Sequence, residues 1–517
     1  MKLSGMLTVV FSTALLVGYA VLGQAPVAGG QAVSDPQALL SQHRYEDVLK
    51  ALEAPLRVAP DDGALNLAKV KALMGLGRYS DAARICVAQA AKHADLPEYR
   101  YRAGECALRM GLIQPALSCW SALYHDDEWS GRAYRMSAQT LLSMGKREEA
   151  QKLLQDAIMA PKPSAGALLM YLEVNPSVKD GLAAIDKLFV ADPGHAEDFA
   201  ALRKIYETVG SGELFQESAK EQGPITMPLK ELSERQEISS LHWGSMDSGT
   251  ATYTLSSRLV IQASLQGSKK KKYLMLDSGS ECALVTQETA KELGLEPIAS
   301  ASYVGLGYLG AQKSNWVILK GIDFGGVVIK NVPAMVIDGK ADFWKETAGL
   351  VPLSLFEKHG ILMDRRHDKL TLFPPGTKPE QAMPGGSFSV KSCWYDGKPF
   401  VQMKVQDKPG CFFLLDTGAY TTFLAAEHAG DIGLHVNQAA ETRKGIGMSG
   451  TYASGVANDA TIWLGPARFK LSQIDVIEIG DDYDVDCYGL LGRNVLDQFE
   501  LYFDYSQNVV AFQPYPR

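Results

Sequence analysis

Positive charge is in short supply: 51 Lys and Arg stand against 59 Asp and Glu, a net charge of −8. Binding to nucleic-acid phosphates rests on clustered cations, so that partner class is excluded. The single basic run, Lys269-Lys270-Lys271-Lys272, lies between two apolar stretches and reads as a solvated hairpin turn. Cysteine is scarce too. The seven, at 86, 106, 119, 282, 393, 411 and 487, cannot all pair and show no metal-ligand spacing, so no metal is expected. Cys86, Cys106 and Cys119 read as core thiols in apolar helices, while Cys393 and Cys411 flank an expected hairpin and leave a bridge open. Neither a Gly-x-Ser-x-Gly elbow, a His-Glu-x-x-His helix nor a phosphate loop is present, and no cofactor is expected. Long apolar runs are absent after Leu7–Leu22, which follows Lys2 and reads as an export signal over 1–23. The expectation is an exported chain, periplasmic or secreted; the run is short for a full span, and an uncleaved membrane anchor is the alternative.

What remains is the composition of an ordinary folded protein, 46% hydrophobic and 21% charged over 517 residues, enough for two or three domains. From 35 to 222 the pattern is helical. Tyr45, Tyr79, Ile113 and Arg147 recur every 34 residues, and Ala82, Ala116 and Ala150 each follow three positions after a landmark. This period resembles the tetratricopeptide repeat (TPR), in which small residues let paired helices approach. The resemblance implies a concave surface for a peptide or protein partner; the alternative is plain support for the neighbouring domain. The polar, proline-bearing stretch 223–244 reads as a linker.

The second half is organised around Asp277-Ser278-Gly279-Ser280 and Asp416-Thr417-Gly418-Ala419, each at the end of an apolar run. A carboxylate there is costly unless it is used or paired. Asp277 and Asp416 are 139 positions apart, as are Gly294 and Gly433; Gly349 and Gly489 are 140 apart, as are Asp364 and Asp504. Four landmarks at one offset within a residue indicate a duplication. Short apolar runs between turn residues make each copy mostly β, with strands expected over 258–265, 273–276, 315–319, 327–336 and 361–373, then over 400–405, 411–415, 460–464, 470–479 and 499–512. The units are read as 245–373 and 387–517, joined by a linker over 374–386.

The order Asp-Ser/Thr-Gly, a helix-like stretch ending in Leu-Gly-Leu, a glycine-spaced stretch and Gly489-Leu490-Leu491-Gly492-Arg493-Asn494 resembles pepsin/retropepsin-type aspartic protease units. The resemblance implies a bilobal acid-protease barrel behind the helical solenoid, an α + β multidomain chain. It implies peptide hydrolysis of a protein or peptide substrate, through a water activated by Asp277 and Asp416. Ser278, Gly279, Ser280, Thr417, Gly418 and Ala419 would support that pair. Gly305, Gly307, Tyr308 and Gly310, with Gly445, Gly447 and Gly450, would form substrate-covering flaps. Two carboxylates in contact hold one shared proton. The Ser280 hydroxyl, absent at Ala419, is expected to favour charge on Asp277. The first unit departs from the pattern at Pro352, where the second has Gly492, which puts the seating of Asp277 in question. Tyr420 stands where viral members carry an acid, leaving Arg493 without an expected partner there. A silent peptide-binding scaffold on the same folds is the alternative reading.

Overall fold

The computed structural model describes residues 35–41, 44–110, 112–143, 146–159, 163–174, 177–209, 216–219, 223–233, 241–244, 250–253, 257–303, 312–338, 344, 346–395, 397–429, 432–434, 436–437, 443–447, 450–477 and 487–515. The export segment lies outside them. Among the described residues, no helix is long and apolar enough to cross a membrane. The chain divides into two compact units with the main break between Tyr171 and Leu172.

In the helical unit, Tyr45–Val58, Tyr79–Lys92, Ile113–Ser121 and Arg147–Met159 each begin on one of the 34-spaced landmarks. Their partners are Gly63–Gly75, Glu98–Arg109, Ser130–Ser143 and Ala165–Val174. The residue three positions into each landmark helix (Val48, Ala82, Ala116, Ala150) is fully buried. Close approach explains the glycines: a methyl on Gly75 would meet the Tyr45 ring at 2.4 Å, and one on Gly104 would meet Trp120 Nε1 at 2.3 Å.

The β unit takes more chain than the sequence assigned to it. Helices Val178–Ala191 and Ala196–Val209, expected in the repeat domain over 35–222, fall here instead. The second of them buries Phe199, Leu202, Ile205 and Tyr206, and Gln216–Ala219 forms a strand beside Val327–Ile337. Nor is 223–244 a free linker. Ile225–Ser233 is a strand between Lys369–Phe373 and Ser257–Leu265, and Leu241–Gly244 pairs with Ala467–Ile477. Ile225, Met227 and Leu229 are buried on alternate positions, a period of two that the polar residues between them obscured. The stretch 374–386 is likewise docked: it holds the short helix Pro379–Ala382, and Met383 packs with Tyr502 and Ala511.

Each lobe repeats one topology. Ser257–Leu265 and Lys272–Asp277 form a hairpin; Lys272–Asp277 runs parallel to Gly349–Pro352, which is antiparallel to Ala283–Thr286. The second lobe does the same with Lys398–Val405, Lys408–Leu415, Cys487–Leu491 and Phe423–Ala425. Gly349 and Gly489 share φ of +156° and +157°, and a Cβ on either would meet the Leu284 or Phe423 carbonyl oxygen at 2.1 Å. Only glycine fits where these strands cross. The stretches 361–373 and 499–512, expected as single strands, are hairpins that turn through Asp368 and Asn508 at positive φ.

Strand Gly360–Asp364 pairs with Phe499–Asp504 and joins the lobes in one sheet. Ile361 faces Phe503, Leu362 faces Tyr502 and Met363 faces Leu501. With an offset of 140 these pairings are reciprocal, so a pseudo-twofold axis passes between Leu362 and Tyr502.

Candidate active site

Asp277 ends strand Lys272–Asp277, and Asp416 directly follows strand Lys408–Leu415. The apolar residues before them, Leu274-Met275-Leu276 and Phe413-Leu414-Leu415, are buried and carry each carboxylate to the lobe boundary. Four hydrogen bonds cross that boundary beneath them. Ser278 N–H donates to Thr417 Oγ1 at 3.0 Å, and Thr417 N–H donates to Ser278 Oγ at 2.9 Å. The two hydroxyls donate in turn to the opposite strands, Ser278 Oγ to the Leu415 carbonyl at 2.7 Å and Thr417 Oγ1 to the Leu276 carbonyl at 3.2 Å. Both side chains are buried, so each lobe satisfies polar groups that the other would leave orphaned.

The carboxyl groups meet above this lattice. Each carboxyl group reaches over the opposite loop: a Cβ on Gly418 would lie 2.6 Å from the Asp277 carboxyl carbon, and one on Gly279 2.5 Å from that of Asp416. Gly279 N–H donates to Asp277 Oδ1 and Gly418 N–H to Asp416 Oδ1, both at 2.7 Å, and Ala419 N–H adds a 3.0 Å bond to Asp416. The departure at Pro352 does not unseat Asp277. Pro352 takes an extended φ of −70°, which suits its ring, and the short helix Leu353–Phe356 follows it as Arg493–Leu496 follows Gly492.

Ser280 behaves otherwise than expected: its hydroxyl donates to the Cys282 carbonyl at 2.9 Å, and only its backbone N–H serves Asp277. The expected reason for charge on Asp277 is therefore gone. Asp277 is held well above the usual carboxylate range, by burial first and by the Asp416 charge second. Asp416 is raised by burial, against which work its hydrogen bond to Asp277, the Gly418 and Ala419 N–H groups and the Lys398 charge. With both groups raised, the pair keeps one proton between them. One carboxylic acid and one carboxylate in contact can give and take a proton in a single event.

Below Asp416, the Gly-Arg-Asn segment stitches the loop 419–422. Arg493 N–H donates to the Ala419 carbonyl, and Asn494 Oδ1 accepts from Thr422 N–H and Oγ1 at 3.0 and 2.8 Å. Arg493 finds its acidic partner elsewhere than at 420. It bonds Asp497 at 3.1 Å and lies 5.9 Å from the Tyr420 ring centroid, while Arg365 of the first lobe holds the other Asp497 oxygen at 2.9 Å.

Of the glycine-spaced stretches, Gly305, Gly307, Tyr308 and Gly310 lie outside the described residues, between strands that pair up to Tyr303 and Gln312. Gly445, Gly447 and Gly450 sit in a hairpin, Gly447 facing Gly450. The Cys393 side chain, and with it the bridge to Cys411 left open by the sequence, lies outside the described residues. Asp364, His367 and Glu500 gather within 4.8 Å. The Asp364–His367 bonds repeat the turn that Asp504 makes with Gln507, at the 140 offset, so a structural turn accounts for them.

Sequence reading missed two residues. Lys398, 2% exposed, forms a salt bridge across the lobes with Glu281. The signal was there: Glu281 is the acid whose counterpart at Tyr420 was noted as missing.

Comparison with known proteins adds one decisive match: the aspartyl protease family model covers residues 261–350 and 401–495, one lobe each. Each lobe is thus similar to that family over its matched segment. No curated protein matches the chain. Among solved structures, the aspartic proteinase from Irpex lacteus shares 10% identity at a TM-score of 0.32, covering 56% of this chain and 97% of its own. YrrB, a TPR protein with an unusual peptide-binding site, shares 16% identity at a TM-score of 0.23, over 32% of this chain and 88% of its own. MamA shares 15% identity at a TM-score of 0.25, over 31% and 90%. The matched segments include Asp277 and Asp416 with their surrounding loops.

Proposed function

We propose that this protein is an aspartic endopeptidase in which Asp277 and Asp416 act on one water. The observation that carries the reading is the meeting of two buried or half-buried carboxyl groups from the two lobes, each set against the other lobe's glycine turn. Asp416, charged, takes a proton from the water as its oxygen attacks the scissile carbonyl carbon; Asp277 gives its proton to the carbonyl oxygen. Ser278 and Thr417 hold the lobes in register, and Gly279 and Gly418 leave room for the carboxyl groups. The hairpin that pairs Arg443–Gly447 with the strand from Gly450, and the glycine-spaced stretch 305–310, serve as flaps over an extended peptide. The helical repeats recruit the substrate or a protein partner, and the apolar run 7–22 exports the chain to the periplasm or beyond.

The test is digestion of a denatured protein mixture from pH 3 to 8 by wild type and by Asp416→Asn. New fragments from wild type alone are expected. Identical fragment patterns from both would sink the reading.

A further inference from the structure

The segment 491–494 seats Asp416 from below. The Asp416 N–H donates to the Leu491 carbonyl at 3.1 Å. The loop after it is held by Gly492 N–H on Thr422 Oγ1 at 3.0 Å and by Asn494 N–H on the Tyr420 carbonyl at 3.1 Å. The short helix Arg493–Leu496 follows, and Asp497 closes it with an N–H bond to the Arg493 carbonyl at 2.8 Å. Asp497 also meets a cation from the other lobe. Its Oδ1 lies 2.9 Å from Arg365 Nη1, and its Oδ2 lies 3.1 Å from Arg493 Nη2. Both guanidinium side chains are buried, at 6% and 2% exposure, so one carboxylate holds a buried cation from each lobe. Burial first, and the Arg493 charge second, push the Arg365 guanidinium down to about 10. The turn that carries Arg365 is gripped a second time by the second lobe. Arg365 N–H and Arg366 N–H donate to the Tyr515 hydroxyl at 2.7 and 3.3 Å.

The 140 offset gives Glu357 for Asp497, Leu353 for Arg493 and Tyr505 for Arg365. Under Asp277 the same place is built from other chemistry. Leu353, Leu355 and Phe356 are buried apolar residues, and the Tyr505 hydroxyl donates to the Gly397 carbonyl of its own lobe at 3.1 Å. The twin position carries no arginine, so this ionic tie serves the Asp416 half-site. We propose that Arg365 is a positioning residue for Asp416. Through Asp497 it fastens the segment that seats Asp416 to the first lobe, and the second half-site takes its working geometry when the first lobe is docked. A guanidinium suits the task, because its planar fork meets a carboxylate in a fixed geometry. Without it, Asp497 keeps Arg493, which lies in the same short helix, and loses its hold on the other lobe. The consequence for rate rests on the proteolytic reading; the order of the loop does not.

The experiment takes two readings on the full chain. One is kcat and KM for a short peptide, well below each variant's Tm; the other is backbone hydrogen exchange over 416–422, with 277–282 as the internal reference. Arg365→Met is expected to lower kcat by about tenfold with KM within about twofold, because the loop shifts by less than the ångström that costs about 100-fold. Exchange over 416–422 speeds up, and 277–282 keeps its wild-type rate. Arg365→Lys restores the charge without the fork and recovers part of the loss. Asp497→Asn lowers kcat less in the Arg365→Met background than in wild type, since the two residues share one contact. In an enzyme that cleaves, an unchanged kcat with only Tm lowered overturns the proposal and leaves the ion pair a structural contact. Equal gains in exchange over both loops overturn it too, as a general loosening of the lobe boundary. Should Arg365→Met fail to fold, Arg365→Gln, which keeps a donor for Asp497, carries the same comparison. A wild type that cleaves nothing, with exchange altered as stated, removes the proteolytic reading and keeps the tie.

Discussion

A methyl group on Gly418 would stand 2.6 Å from the Asp277 carboxyl carbon, and its mirror image on Gly279 would stand 2.5 Å from that of Asp416. Each lobe thus leaves out a side chain where the other lobe's carboxyl group comes in. Gly418→Ala is expected to push Asp277 aside and lower kcat by about 100-fold or more, since an ångström of misplacement costs that much. Steady-state kinetics on a short peptide would check it; an unchanged kcat would mean that the pair is not the reacting centre.

Asp277→Asn should abolish cleavage and at the same time stabilise the fold at neutral pH. The folded-state value of Asp277 is raised, with burial as the main cause. Below about pH 4 the group is protonated in both folded and unfolded chains, and it costs nothing. As pH rises, the unfolded chain ionises freely while the folded one must keep the proton or bury a charge, so stability falls until the folded value is passed. The Tm gain of the variant over wild type should therefore be largest near pH 7 and fade towards pH 4. A gain independent of pH would contradict this cause.

Thr417→Val keeps the shape and removes the hydroxyl that accepts from Ser278 N–H and donates to the Leu276 carbonyl. Leaving buried partners unpaired should cost about 1–3 kcal/mol in denaturant unfolding. A loss below about 0.5 kcal/mol would place water in the gap.

Ser280→Ala is expected to leave the acid limb of the pH–rate profile where it is, because that hydroxyl serves the Cys282 carbonyl. An upward shift would show it turned towards Asp277.

Removal of 35–171, the helical unit bounded by the break at Tyr171, should spare cleavage of short peptides and slow cleavage of a protein substrate. Cutting as far as 222 would also strip strand Gln216–Ala219 from the sheet and should impair both. Equal losses from the shorter deletion would make the repeats a support.

Much of the local order was legible because it is periodic. The 34-residue spacing of Tyr45, Tyr79, Ile113 and Arg147 marked four helix starts to the residue, since small buried positions recur wherever helices pair. Duplication made both aspartates visible, because one offset tied them to Gly349 and Gly489, where strand crossing admits nothing but glycine. The strand Ile225–Ser233 was hidden by Pro228 and by polar residues facing away from the core; a half-buried strand shows its pattern on every second residue alone.

What the sequence determined by itself was the pair of half-sites: two apolar strands, each ending in an aspartate and a glycine turn. What it could not determine was how the halves differ. The Ser280 hydroxyl, the Pro352 substitution and the missing acid at Tyr420 all pointed to asymmetry, and each was resolved by neighbours far away in the chain. Ser280 turned to Cys282, Pro352 adopted the extended backbone its ring prefers, and Arg493 took Asp497. Lys398 pairs across the lobes with Glu281, 117 residues away. Electrostatic balance in a buried site depends on distance in space, and only closure of the two lobes brings that cation to its acid.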